Sequence, residues 1–387
     1  RVCVPVENLA EAQLVAGLEA VGAAGLDDVA RLIAGPRGRK AASARRRTPV
    51  RVSTITRSSA GAEQPFGAEP SDLADVRGQA QARWALEVAL AGRHNLLLIG
   101  SPGAGKTLLA RTTAGLLPDL DRDEAREVAV IRSIAGLTDT DGSRVRRPFL
   151  APHHTTSYAA MVGGGPRLRP GLVTQAHHGA LFLDELAEFD RNVLDALRQP
   201  LEDGTVEIVR AQGSVRYPAR LQLIAAMNPC RCGWWADPTR ACRCPSREPP
   251  RYMRRVSGPL LDRIDLRVVM PRMDAEELVA EADPEASASV RSRVGKAWQL
   301  SRARNGGLPN AMLRGQRLLD VCGLDAAAQG TVREVANGLE LTARSVHRTL
   351  RVARTIADLQ GGERVGREEV LAAVALRDRT LETETAT

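Results

Sequence analysis

The stretch Gly100, Ser101, Pro102, Gly103, Ala104, Gly105, Lys106, Thr107 fits the pattern GxxxxGK[ST], and it constrains the fold of this chain more than any other feature. An apolar run, Leu96 to Ile99, precedes it, and a helix-like segment, Leu108 to Leu117, comes after it. Only such a strand–loop–helix setting gives the pattern its meaning. Glycines let backbone N–H groups close around phosphate oxygens, and the helix after the loop adds the positive end of its dipole. In that setting Lys106 reaches the β- and γ-phosphates of a nucleotide such as ATP, and the Thr107 hydroxyl ligates Mg²⁺. The other reading is a chance Gly-rich turn.

Ala180 to Leu183 reads as a buried strand that ends in two acids, Asp184 and Glu185. Ligands of parallel sheets sit beyond the carboxyl ends of the strands. Asp184 is therefore expected beside the phosphate loop, holding Mg²⁺ through water, with Glu185 polarising the attacking water. A third strand, Leu221 to Met227, ends in Asn228. That amide is expected to orient the water as a sensor of the γ-phosphate; a turn Asn before Pro229 is the bland alternative.

Six cysteines are present, and four of them, Cys230, Cys232, Cys242 and Cys244, fall within 15 residues. This is not the scatter of a secreted disulfide framework, and it suits an intracellular metal site. Four thiolates this close can bind Zn²⁺ tetrahedrally, although the C-x-C spacing is tighter than usual. Four reduced, loosely packed cysteines are the alternative. Two histidine pairs, His153–His154 and His177–His178, read as loop and pore-approach residues, because adjacent side chains point in different directions.

With aromatics at only 3%, the cores must be built from Leu, Val, Ile and Ala. No apolar run approaches the roughly 18 residues a membrane helix needs, so a cytoplasmic protein without a membrane partner is expected. The net charge of +8 permits a polyanionic partner without proving one.

Along the chain, residues 1–35 begin with an extended Val2–Val6, a helix-like Glu7–Leu18 and an apolar segment near Leu26–Ile33, and read as the tail of a preceding domain. Residues 36–71 have the composition of a basic linker. From Asp72 to residue 272 strands and helices alternate as in an α/β domain. Helix Gln79–Leu90 and strands Leu96–Ile99, Val128–Ile131, Leu181–Leu183, Leu221–Met227 and Leu266–Met270 are expected there. Asp190 is expected to cap a helix carrying Val193, Leu194 and Leu197. Two excursions interrupt the pattern, Thr138–His178 and a hairpin within Glu202–Arg220. From Met273 to the end the signals are helical. Val290, Val294 and Ala297 mark one face, and a helix capped by Thr342 ends at Gly361.

Taken in order, the phosphate loop, LFLDE, MNPC, Ser257-Gly-Pro-Leu-Leu-Asp-Arg-Ile-Asp265 and Thr342-Ala-Arg344 resemble AAA+ ATPases of the magnesium-chelatase clade, most of all its ComM/YifB-type subfamily. The resemblance covers nearly the whole chain. It implies an AAA+ P-loop NTPase core with a parallel sheet and a small all-α lid. It also implies that Arg263 is an arginine finger for a neighbour's nucleotide, and that Arg344 is a sensor arginine on the nucleotide of its own chain. The expected assembly is a ring, hexameric in this family, with the two excursions at a central pore. Arg167, Arg169, Arg210 and Arg216 would there track a phosphate backbone, or stand as ordinary loop arginines. Residues 1–35 would be the end of a Lon-protease-like domain. The implied activity is ATP hydrolysis driving movement of single-stranded or branched DNA. A chelatase-type ATPase that remodels a protein partner is the competing expectation.

Overall fold

The computed structural model describes residues 2–13, 17–34, 71–137, 146–165, 168–210, 213–237, 239–273 and 285–377. Two compact units divide the chain, residues 1–64 with 120–146 and residues 65–119 with 147–387. Apart from residue 71, the segment read as a linker lies outside the described residues.

At the start of the first unit β1 (Val2–Pro5) pairs in parallel with β2 (Ala20–Ala23), a strand not expected from the sequence. Where a helix was expected over Glu7–Leu18 there is a 3-10 turn, Val6–Asn8, and a single turn α1 (Leu9–Ala12); α2 (Leu26–Ala34) comes next. The larger unit opens with α3 (Ala80–Gly92), β3 (Leu96–Gly100) and α4 (Lys106–Leu116).

The chain then returns to the first unit as α5 (Arg122–Ala135), and this corrects the strand expected at Val128–Ile131. The Asp121 carboxylate accepts from Glu124 N at 2.9 Å, the Glu124 carboxylate reaches back to Asp121 N, and Gly136 closes the other end in the left-handed conformation. Both ends are thus signalled as helix termini. A short apolar run between them does not by itself distinguish helix from strand.

The larger unit continues with β4 (Phe149–Leu150), α6 (Tyr158–Val162), β5 (Gly163–Gly164), β6 (Arg169–Pro170), α7 (Leu172–Gln175), β7 (Ala180–Leu183), α8 (Arg191–Ala196) and α9 (Arg198–Asp203). Next come β8 (Thr205–Arg210), β9 (Gly213–Pro218), β10 (Gln222–Met227), α10 (Glu248–Met253), α11 (Gly258–Leu261) and β11 (Leu266–Met270). The helical end comprises α12 (Ser287–Arg304), α13 (Gly315–Cys322), α14 (Ala326–Gly338), α15 (Ala343–Gln360) and α16 (Arg367–Ala375). Asp190 caps α8 through Asn192 N, and Thr342 caps α15 through Ser345 N.

Five strands form a parallel sheet in the order β11-β3-β10-β7-β4. The two-residue β4 occupies one edge of the sheet. Side chains alternate between two buried layers, as a strand's period of two requires. Leu96, Leu98, Phe182, Ile224 and Ala226 enter one layer, and Leu97, Ile99, Leu181, Leu223 and Ala225 the other. The first layer continues through α3 into the lid, taking in Val290, Trp298, Leu350 and Ile356. Among the described residues the helical end therefore encloses no separate core. The second half of α3, residues 85–92, is buried on every face, as a helix segment covered on both sides must be.

Polar groups pin this junction. His94 bonds Asp265 Oδ2 through Nδ1 at 3.1 Å and Thr355 Oγ1 through Nε2 at 2.8 Å, both buried. A Cβ on Gly92 would lie 2.2 Å from His94 Nε2, so only glycine fits there. Among the described residues no helix is long and apolar enough to cross a membrane.

Candidate functional site

All strands of the sheet run the same way, so the loops that leave their carboxyl ends gather on one side. The loop from Gly100 to Thr107 leaves β3, Asp184 and Glu185 leave β7, and Asn228 leaves β10. Gly103 and Gly105 hold φ of +82° and +86° with open space around them, so backbone conformation rather than crowding demands glycine. Gly100 is glycine for the other reason: an added Cβ would stand 2.4 Å from Met270 O on β11. The Gln79 amide donates to Ala104 O at 3.3 Å and to Pro271 O at 2.6 Å, tying the loop to the end of β11.

Lys106 opens α4 and is buried. Its Nζ donates to Gly100 O at 2.7 Å, Ser101 O at 2.9 Å and Asn228 Oδ1 at 3.2 Å. Burial pulls the amine down from 10.5 to about 8, with the Asp184 carboxylate opposing. Thr107 Oγ1 donates to Asp184 Oδ2 at 2.6 Å. A hydroxyl and a carboxylate oxygen side by side, next to a phosphate-type loop, form a donor set that suits Mg²⁺, a hard cation that keeps several of its waters. Thr107, Asp184, Lys106 and Asn228 are thus brought together as the sequence suggests.

Glu185 lies one residue on, in the left-handed region at φ 52° and ψ 45°. A non-glycine residue there is strained, and such strain gathers at functional sites. Its N–H donates to Asp184 Oδ1 at 2.9 Å, and its carboxylate meets His154 Nδ1 at 3.0 Å. Sequence reading missed His154 as a partner because its loop comes after β4, the strand that was not foreseen. In the other histidine pair His177 is buried and accepts from Arg220 N at 2.9 Å.

The four cysteines after Asn228 converge, with all four Sγ atoms within 4.8 Å of one another. Cys230 to Cys232 is 3.4 Å, Cys230 to Cys242 is 3.7 Å and Cys232 to Cys242 is 3.5 Å. A tetrahedron of sulfurs at a Zn–S distance of about 2.3 Å has edges of about 3.8 Å, so the donor set fits zinc in number, type and spacing. The same insert leans on the phosphate loop. Ser101 Oγ donates to the Asp237 carboxylate, and Gly233 packs so closely on Pro102 that a Cβ would lie 2.5 Å from its Cδ. Asp237 carries no motif signal, and only the folded insert reveals its contact.

Arg263 and Arg344 are elsewhere. Arg263 precedes β11, and its carbonyl accepts from Asn95 Nδ2 just before β3. It therefore stands at the amino end of the sheet, and the five residues of β3, about 16 Å, separate that end from the phosphate loop. Its guanidinium donates to Pro259 O at 2.6 Å and pairs with Glu202. Arg344 lines the same cleft of about 320 Å³. Neither arginine is brought to the loop of its own chain, which differs from the position expected for Arg344.

Of the pore arginines, Arg167 and the Arg210 side chain fall outside the described residues. Arg169 is exposed on β6, and Arg216 on β9 donates to Thr205 Oγ1 at 3.1 Å. Their hairpins pack together, with Tyr217 Oη donating to Leu168 O at 2.7 Å.

Comparison with known proteins gives the family of the chain. The family profile described as magnesium chelatase, subunit ChlI, matches residues 72–278, and the profile of the ChlI C-terminal region matches residues 284–377. An uncharacterized protein of Mycobacterium tuberculosis, Rv2897c, is 44% identical over 381 residues, 97% of this chain and 72% of its own length. The protein YifB of Escherichia coli is 43% identical over 313 residues, 80% of this chain and 61% of its own. Competence protein ComM of Haemophilus influenzae is 42% identical over 312 residues, again 80% of this chain and 61% of its own.

Proposed function

The chain belongs to the magnesium-chelatase family of AAA+ ATPases, of the ChlI and ComM/YifB type, and on that premise we propose that it is an ATP-hydrolysing ring motor acting on DNA. The observation that carries the reading is the meeting of Lys106, Thr107, Asp184 and Asn228 at one end of the parallel sheet. In this reading the loop N–H groups and Lys106 hold the β- and γ-phosphates. Thr107 and Asp184 hold Mg²⁺, which supplies neutralisation of phosphate charge. Glu185 orients the attacking water and takes its proton, and Asn228 fixes the water's position relative to the γ-phosphate.

Arg263 is assigned to the nucleotide of an adjoining subunit, where it offsets charge that develops in the transition state. Arg344 receives the same assignment because it shares the cleft of Arg263. A ring is then required for turnover, and six subunits is our proposal. Arg169 and Arg216 on the paired hairpins are the proposed contacts to the DNA backbone. The four cysteines are proposed to hold one structural Zn²⁺.

ATPase rates with and without single-stranded or branched DNA, over a salt series, test the reading. Stimulation that weakens with salt supports it. Stimulation by a protein partner alone replaces it with a chelatase-type remodelling role.

A further inference from the structure

A second basic region lies away from the two hairpins. Between the cysteine insert and α10 is a cleft of about 910 Å³. Six arginines line it: Arg191 on α8, Arg231 in the insert, and Arg247, Arg251, Arg254 and Arg255 on and around α10. Only two acids share the lining, Asp190 and Glu248. Arg231 lies 3.7 Å from Glu248, and Arg255 pairs with Glu188 at 3.0 Å. Arg247 and Arg251 are exposed and have no carboxylate partner among the described residues.

The spacing is regular. Arg247, Arg251 and Arg255 succeed one another at four-residue intervals along α10 and the turn that continues it, about 6 Å apart. A folded protein gains nothing from lining a cleft with like charges, which repel one another. A ligand carrying regularly spaced negative charge removes that cost, and guanidinium forks match phosphate oxygens in shape. The floor is closed: Tyr252 and Phe189 are buried, so no ring is free to stack on a base. Nothing there reads sequence.

We infer that this arginine cleft binds the phosphodiester backbone of a nucleic-acid single strand, without regard to sequence. The inference rests on the proposed DNA motor and adds a second contact surface to it. A single strand is the occupant proposed, because its flexible backbone can follow a concave lining. An acidic protein segment is the rival occupant, but the even spacing favours a uniform polyanion.

The test uses the full chain and a fluorescent oligothymidylate, titrated over a salt series. Arg247→Ala/Arg251→Ala is compared with Arg333→Ala/Arg367→Ala, two exposed lid arginines. Losing two phosphate contacts should lower the slope of log affinity against log salt by about 1.4 and weaken low-salt binding by about tenfold or more. A mixed-sequence strand should behave the same way, and the control pair should leave both quantities unchanged. If the parent chain binds and the cleft variant keeps its slope, the cleft assignment falls and the DNA reading stands. If the parent chain binds no strand at all, both fall. Loss of binding only together with loss of assembly, monitored by light scattering, also overturns it and makes the cleft a subunit contact. Equal competition by polyglutamate at matched charge overturns the choice of nucleic acid.

Discussion

Lys106 combines a buried position with an assignment, proposed above, that requires its charge. Burial holds its amine down at about 8 in the protein alone. The folded value lies below the unfolded one, so the folded protein binds fewer protons between about pH 8 and 10.5. The stability contributed by this group therefore rises with pH across that window. A bound polyphosphate reverses the balance by surrounding the ammonium with negative charge. ATP affinity should accordingly be level below pH 8 and fall above it by up to about tenfold per unit, with protons taken up on binding. Calorimetry in buffers of different ionisation enthalpy measures both. Affinity that ignores pH in this range would remove Lys106 from the phosphates. Glu185 is held in strained backbone beside Asp184 and is assigned to the chemical step rather than to binding. Glu185→Gln should lower turnover by about a hundredfold or more while a fluorescent nucleotide still binds. Retained hydrolysis would strip the residue of its role.

At the scale of elements, the cysteine insert is the piece whose position has consequences beyond its own fold. It comes directly after the strand that delivers Asn228 and touches the phosphate loop at both Ser101 and Pro102. Metal bound by the four sulfurs would hold these contacts in register, because ligand binding to the native state stabilises whatever the ligand organises. Cys242→Ser should reduce zinc from one per chain to a trace in metal analysis, lower the melting temperature, and weaken nucleotide binding. A variant that loses metal yet keeps the parent melting point and affinity would show the insert to be a bystander. The lid is bound just as firmly to the sheet through α3. Arg304 and Arg354 converge on Asp358, and Asn310 joins this buried group to Thr355 and so to His94. Buried charges of this kind are tolerated only when paired.

For the whole molecule, the separation of Arg263 from the phosphate loop decides how a complete site can be built. A guanidinium at the amino end of the sheet cannot serve a nucleotide at the carboxyl end of the same sheet, but it can serve one presented by a neighbour. Arg263→Ala and Lys106→Ala subunits should each be inactive alone and regain part of the parent ATPase rate when mixed, since a mixed ring contains some sites with both groups intact. Activity that stays absent in every mixture, or that survives dilution to single subunits, would refute shared sites.

The phosphate loop, the paired acids and Asn228 were legible because each is a local signal attached to the end of a strand, and parallel strands deliver their ends to one place. Helix α5 was misread because four apolar residues fit either period; its cap at Asp121 and Gly136 carried the deciding information. The edge strand Phe149–Leu150 is too short to show any period, and with it went the chance of foreseeing His154 beside Glu185. Contacts between segments remote in sequence, such as Asp237 with Ser101 or Arg344 beside Arg263, have no signature in one dimension. Local signals alone placed Lys106, Thr107, Asp184 and Asn228 together at the carboxyl end of the sheet, since strand ends and glycines act locally. The tertiary structure alone decided that the lid shares the core of the sheet and that its arginine faces away from its own loop, because packing sets which end of the sheet a helix covers.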